Sequence, residues 1–172
     1  MAIRDVQDFP NEGVVFKDLG PVWANPHLRE EAVNAVALWI QSSGDKPTAI
    51  AGIESRGFFL GMSLADKLKL PFIALRKEGK LPGPTISQSY ALEYGSAVLE
   101  CQKGAFNSED KVLIHDDVLA TGGTAEAAAV LVERGGAQLW GFSFLMRLSF
   151  LNGMERLKAI RPDMRIQTLV AA

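Results

Sequence analysis

One stretch constrains this chain more than any other: Val112-Leu113-Ile114-His115-Asp116-Asp117-Val118-Leu119-Ala120-Thr121-Gly122-Gly123-Thr124. An apolar run suited to a buried strand, Lys111 to Ile114, leads to two adjacent carboxylates. A small, hydroxyl-bearing glycine loop then opens a helix predicted over Thr124 to Arg134. Open α/β sheets bind their ligands at the carboxyl ends of the strands, where this element would emerge. The loop can aim several backbone N–H groups at one point with the helix dipole behind them, which makes a nest suited to a phosphate. Gly122 and Gly123 let the backbone come close, and Thr121 and Thr124 add hydroxyl donors. Asp116 and Asp117 would repel that phosphate unless something positive or hydroxylated lay between. Ribose hydroxyls meet that need, and so does Mg²⁺. The pattern points to a sugar phosphate.

The rest of the chain supplies a sheet for this element. Thr48 to Ile53 reads as a buried strand, Phe58 to Leu68 as a helix and Phe72 to Leu75 as the next strand, an order that favours parallel pairing. Gly135-Gly136 ends the later helix, and Leu139 to Leu145 supplies another buried strand. Ahead of these, Asn25-Pro26 reads as an N-cap with proline in the first turn. Leu28, Ala32, Ala35, Val36, Trp39 and Ile40 then mark the buried face of a helix from Pro26 to Ser42. The opening, punctuated by Pro10, Gly13, Gly20 and Pro21, reads as loop. Lys77 to Gly95 is long, rich in Gly and Pro, and expected to be a lid over a site, with Ser87 to Glu93 and Ala97 to Glu100 forming a hairpin.

With 172 residues, 48% of them hydrophobic, the chain has the size and composition of one α/β domain over 1–172. Its net charge of −2 gives no general reason to expect nucleic acid as a partner. Cys101 is the only cysteine, so an intrachain disulfide is impossible. The amino-terminal residues lack the apolar core of a signal peptide, and no apolar run approaches the roughly 20 residues that span a bilayer. A cytoplasmic protein without membrane partners is expected.

The run from Val112 to Thr124 resembles the signature of the type I phosphoribosyltransferases. Three further stretches resemble the adenine-specific branch of that family: Phe9-Pro10-Asn11-Glu12-Gly13-Val14-Val15-Phe16-Lys17-Asp18, Gly52-Ile53-Glu54-Ser55-Arg56-Gly57-Phe58, and Arg76 to Thr85 with Tyr90 to Gly95. The resemblance implies a central, mostly parallel sheet flanked by helices, with a flexible lid at 77–95 and a base-binding amino-terminal segment at 1–24. It implies transfer of ribose 5-phosphate from phosphoribosyl pyrophosphate to adenine, giving AMP and pyrophosphate in purine salvage. Mg²⁺ is implied as cofactor, bound mainly through the substrate, and a homodimer as the assembly.

Roles for individual residues come with it. Ala120, Thr121, Gly122, Gly123 and Thr124 would hold the 5′-phosphate, and Asp116 and Asp117 the ribose hydroxyls. Ser55, Arg56, Arg76, Lys77 and Lys80 would receive pyrophosphate, with Arg56 and Lys80 acting in catalysis. The resemblance further implies a strained peptide in the Glu54–Gly57 loop and an Arg76 that reaches a neighbouring subunit's site. Val15, Phe16, Lys17 and Leu148 would contact the base. Glu93 would manage a purine proton as general acid/base, with Tyr94 near the reacting centre.

Two positions depart from the family. His115 stands where Val or Ile is usual; a strand histidine is most often a core residue, but one bonded to Asp117 would titrate near neutral pH. Arg147 stands where an acidic or amide residue usually precedes Leu148. A cation beside the base would favour acceptor-rich purines over adenine, so hypoxanthine, guanine or xanthine remains the alternative base unless Arg147 points elsewhere. A non-catalytic sensor of phosphoribosyl pyrophosphate is the rival from another class.

Overall fold

The structure, a computed structural model, describes residues 2–91 and 95–172. The opening is more ordered than its glycines and prolines suggest. Strands β1 (Arg4–Gln7) and β2 (Val15–Asp18) form an antiparallel hairpin, with Arg4 opposite Asp18 and Asp5 opposite Lys17. Ion pairs at 2.6 and 2.9 Å join those two cross-strand couples, as opposite charges facing each other across a ladder do. The expectation of loop failed because the four-residue strands carry no alternating apolar pattern.

A short helix α1 (Gly20–Ala24) leads into α2 (Pro26–Ser42). Asn25 caps α2 as expected, its side chain accepting from the His27 and Leu28 N–H groups. The buried face is Ala32, Val33, Val36, Ala37 and Ile40. Ala35, expected on that face, is exposed.

The sheet has seven strands: β3 (Ala49–Ile53), β4 (Phe72–Lys77), β5 (Thr85–Ala91), β6 (Ser96–Gln102), β7 (Lys111–Leu119), β8 (Gln138–Arg147) and β9 (Arg165–Ala171), in spatial order β5-β6-β4-β3-β7-β8-β9. From β4 through β3, β7 and β8 to β9 the contacts are parallel, apart from the antiparallel β5–β6–β4 edge. Every residue of β3 is buried, which an apolar run needs when both faces of a parallel sheet are covered. One face packs under α2 and α3 (Gly57–Leu68), around Ile50, Leu64, Val36 and Leu113. The other packs under α4 (Gly123–Arg134) and α5 (Gly153–Ile160), around Phe142, Phe144, Leu131 and Leu157.

Strands β7 and β8 overrun their expected ends. Asp116 pairs with Phe144, Val118 with Met146 and Leu119 with Arg147, so the acidic residues lie within β7 instead of beyond it. Chain order then fixes the location of a site. The chain leaves β3 for β4 on one side, and reaches β7 on the other only after β6. The cleft at the carboxyl ends of β3 and β7 is the topological switch point of the sheet.

Candidate active site

Two helices begin at that switch point, and neither amino terminus carries a side-chain cap. Helix α3 follows β3 with Arg56 in the N-cap position; α4 follows β7 with Gly122 there, at φ 82°. The leading N–H groups of α4 have no partner within the helix, while at α3 the Phe58 and Phe59 N–H groups donate to the Ser55 and Arg56 carbonyls at 3.2 and 3.3 Å. Both termini stand at the ends of adjacent parallel strands, a position suited to an anion.

The α4 site is a cavity of about 70 Å³ lined by Asp116, Val118, Ala120 to Ala125 and Phe144. The absence of side chains at Gly122 and Gly153 lets α5 close its back. A Cβ on Gly122 would stand 3.1 Å from the Gly153 carbonyl, and one on Gly153 would collide with the Ala120 carbonyl. The predicted phosphate-loop residues are thus brought together around one small space.

The acidic pair faces two ways. Asp117 is buried, and its Oδ2 lies 2.8 Å from Arg56 Nε. That contact is an ion pair by distance only, since Oδ2 has no well-directed hydrogen bond among the described residues. Asp116 keeps a partly exposed edge and accepts the Asp117 N–H at 2.9 Å. Burial, and then the neighbouring Asp117 charge, push the Asp116 carboxyl well above the usual aspartate range. Burial also raises Asp117, against the lowering pull of Arg56. Hydroxyl donors or a cation between these carboxylates would relieve both costs. Among the described residues no cluster of three acidic, histidine or cysteine side chains stands ready for a metal.

Arg56 joins the acidic pair to the amino-terminal segment. Its guanidinium carbon lies 5.9 Å from the centroid of the Phe16 ring, and Phe9 meets Phe16 edge-on at 5.1 Å. The Glu54–Ser55 peptide just before it is cis, in the loop where the resemblance implies an unusual peptide. Lys17 turns its ammonium to Asp5 at 2.9 Å. Leu148 is half-buried at the end of β8, its N–H bonded to the Leu119 carbonyl.

Two of the expected pyrophosphate cations are held by one carboxylate. Arg76 and Lys80 both pair with Glu54, at 3.3 and 2.8 Å. Reading the sequence for phosphate ligands passed over this carboxylate, although an acid ending a buried strand beside a basic loop was the signal. Glu93 and Tyr94 lie outside the described residues.

The profile of the phosphoribosyl transferase domain family matches residues 24–167. An adenine phosphoribosyltransferase of Anaeromyxobacter dehalogenans is 51% identical over 156 residues, which are 90% of this chain and 89% of that protein. The chain belongs to the adenine phosphoribosyltransferase family. Among solved structures, the family member from Thermoanaerobacter pseudethanolicus superposes with a TM-score of 0.92 at 39% identity, covering 99% of this chain and 96% of the other. The Saccharomyces cerevisiae enzyme, solved with an imino-altritol bisphosphate and adenine, gives 0.91 at 39% identity over 98% and 94%.

The two departures from the family pattern now have places. His115 is fully buried, its Nδ1 lying 3.3 Å from Ser143 Oγ and not bonded to Asp117. Burial lowers its pKa to about 4, so the near-neutral titration envisaged for it does not occur. Arg147 lines a cavity of about 230 Å³ with Leu119, Leu148, Ser149, Leu151, Met154 and Glu155. Of the base-contact residues only Leu148 shares that cavity; Val15, Phe16 and Lys17 do not.

Proposed function

We propose that this chain transfers the 5-phosphoribosyl group of phosphoribosyl pyrophosphate to adenine, releasing pyrophosphate and forming AMP. The observation that carries the reading is the pair of uncapped helix termini at the switch point, with two carboxylates at one end and Phe16 across Arg56. A ligand with phosphates at two ends and hydroxyls between them fits that order of groups.

The 5′-phosphate takes the N–H groups and hydroxyls of Ala120 to Thr124, and the ribose hydroxyls donate to Asp116 and Asp117. With the sugar so fixed, displacement at the anomeric carbon needs a stabilised leaving group more than a strong acid. Ser55, Arg56, Arg76, Lys77 and Lys80 supply that charge. Mg²⁺, bound chiefly through the donor's own oxygens, adds neutralising charge there. Phe16 and Leu148 hold the purine between them, while Val15 and Lys17 offer backbone groups to its edge. Glu93 is assigned the purine proton, with Tyr94 beside it. Residues 77–95 act as the lid that excludes water from the donor.

Arg147 shares its cavity with Leu148 and not with Val15, Phe16 or Lys17, and the preference between adenine and an oxopurine is what the product assay reads. A homodimer is the proposed assembly. Phe59 and Met62 leave about half their surface exposed on α3, beside the helix from Pro26, and supply an apolar face for a second copy. The cytoplasm is the proposed compartment, where the buried Cys101 stays a thiol.

The test is product formation from phosphoribosyl pyrophosphate and Mg²⁺ with adenine, hypoxanthine, guanine and xanthine in parallel. AMP should dominate. Preference for an oxopurine would overturn the base assignment, and donor binding without turnover of any base would overturn the catalytic one.

A further inference from the structure

Glu54 has no part in the roles assigned above, yet the leaving-group cations are arranged around it. It follows directly on β3, and its side chain is 7% exposed. Four donors converge on its carboxylate: Lys80 Nζ at 2.8 Å, the Lys77 backbone N–H at 3.0 Å, and Arg76 Nε and Nη2 at 3.3 Å each. Arg76 Nη1 then donates to the Lys80 carbonyl at 2.9 Å, which closes the knot. Burial alone would raise this carboxyl, but the surrounding donors outweigh it and hold it down to about 2, so the charge persists at any working pH.

The contacts leave donors to spare. Lys80 uses one ammonium N–H on Glu54 and keeps the others. Arg76 spends Nε and Nη2 on Glu54 and one Nη1 N–H on the Lys80 carbonyl, and its side chain stays one-third exposed. Both are long side chains that lose much rotamer freedom when they bind a ligand. Here that freedom is already removed in the unliganded fold. A second buried carboxylate, Glu100, pins the same turn from the other side by accepting the Gly79 N–H at 3.0 Å and the Thr85 hydroxyl at 3.2 Å. It forms no ion pair with Arg76, Lys77 or Lys80 among the described residues.

We propose that Glu54 is a positioning residue for the leaving group, fixing Arg76 and Lys80 so that pyrophosphate meets donors already in place. The proposal rests on the phosphoribosyltransferase reading of this site, and Glu100 provides its control. Glu54 shapes both the cations and the turn; Glu100 shapes the turn alone.

The experiment compares Glu54→Gln, Glu100→Gln and Lys80→Gln with the unaltered chain. In Glu54→Gln the KM for phosphoribosyl pyrophosphate and the inhibition constant of Mg-pyrophosphate should both rise about tenfold, with the KM for adenine changing less than about twofold. Lys80→Gln should add little in the Glu54→Gln background, since an unplaced lysine has little left to lose. Glu100→Gln should raise the donor KM less than Glu54→Gln does. An unchanged donor KM in Glu54→Gln would overturn the proposal. So would a lowered one, which would make Glu54 a competitor of pyrophosphate, or equal rises for donor and adenine, which would mean general loosening.

If Glu54→Gln does not fold, Arg76→Lys keeps the charge and removes the two-pronged contact. The same rise in donor KM is then expected, and an unchanged value overturns the proposal. Calorimetric binding of Mg-pyrophosphate to each variant gives a readout independent of turnover. An inactive unaltered chain would sink the activity reading while leaving this comparison intact.

Discussion

His115 packs its ring against α3, where a Cβ on Gly61 would reach to within 3.6 Å of it, and its Nε2 has no partner among the described residues. With a folded-state pKa of about 4 against 6.5 when unfolded, only the unfolded chain takes up this proton between those values. Stability is therefore lost as pH falls through that window, by about 3 kcal/mol at its foot. His115→Val should flatten this loss in urea unfolding compared at neutral and acid pH. At neutral pH it should cost about 1 kcal/mol, because the buried Ser143 hydroxyl loses its partner. Asp116 behaves oppositely. Its raised pKa means that the folded chain holds the proton more tightly, so stability falls as pH climbs from the ordinary aspartate range through the raised value. Asp116→Asn should raise Tm at neutral pH while lowering kcat/KM for phosphoribosyl pyrophosphate about a hundredfold. Equal or lower Tm in that variant would show that the pair is not strained by its own charge. The sequence marked both residues, but their titration follows first from burial in the folded chain, then from Ser143 beside His115 and from Asp117 beside Asp116.

The phosphate loop owes its shape to α5 as much as to its own glycines. Gly153 starts that helix against the Ala120 carbonyl, with no room for a side chain. Gly153→Ala should force α5 away, costing about 2 kcal/mol in stability, and should raise the donor KM with little change in that of adenine. Unaltered donor binding would mean that the loop holds its form alone. Nothing in the residues from Gly153 to Ile160 announced this contact, and neither α5 nor β9 was assigned from sequence as part of the sheet packing. Their apolar residues are interrupted by charged and polar ones, and only Gly153 and Leu157 of α5 are buried. By contrast β3, α3 and α4 were legible nearly to their ends, since each is apolar along its length or on one face and is bounded by turn residues. The hairpin of β5 and β6 was legible too. Its attachment was not: Arg134 on α4 donates to the Ser87 carbonyl at 2.7 Å and ties β5 to the helix.

Across the whole molecule the net charge is −2, and Glu54, Asp116 and Asp117 share one end of the sheet with the cations Arg56, Arg76, Lys77 and Lys80. Screening should weaken their hold on a multiply charged donor, so raising NaCl from about 0.05 M to about 0.5 M should raise the donor KM several-fold and leave that of adenine nearly constant. Equal salt sensitivity for both substrates would contradict this division of the site. The cleft itself draws on the amino-terminal hairpin, the β3–α3 loop, the turn after β4 and the β7–α4 loop, which meet only because β3 and β7 lie side by side. The sequence alone determined the strand–acid–glycine–helix element and the parallel core, because backbone propensity and apolar patterning act over a few neighbouring positions. Tertiary structure decided that Asp117 faces Arg56, that Glu54 gathers Arg76 and Lys80, and that Arg147 lines a cavity with Leu119, Met154 and Glu155. Each of those facts is a meeting of side chains far apart in the chain, and burial then sets their charges.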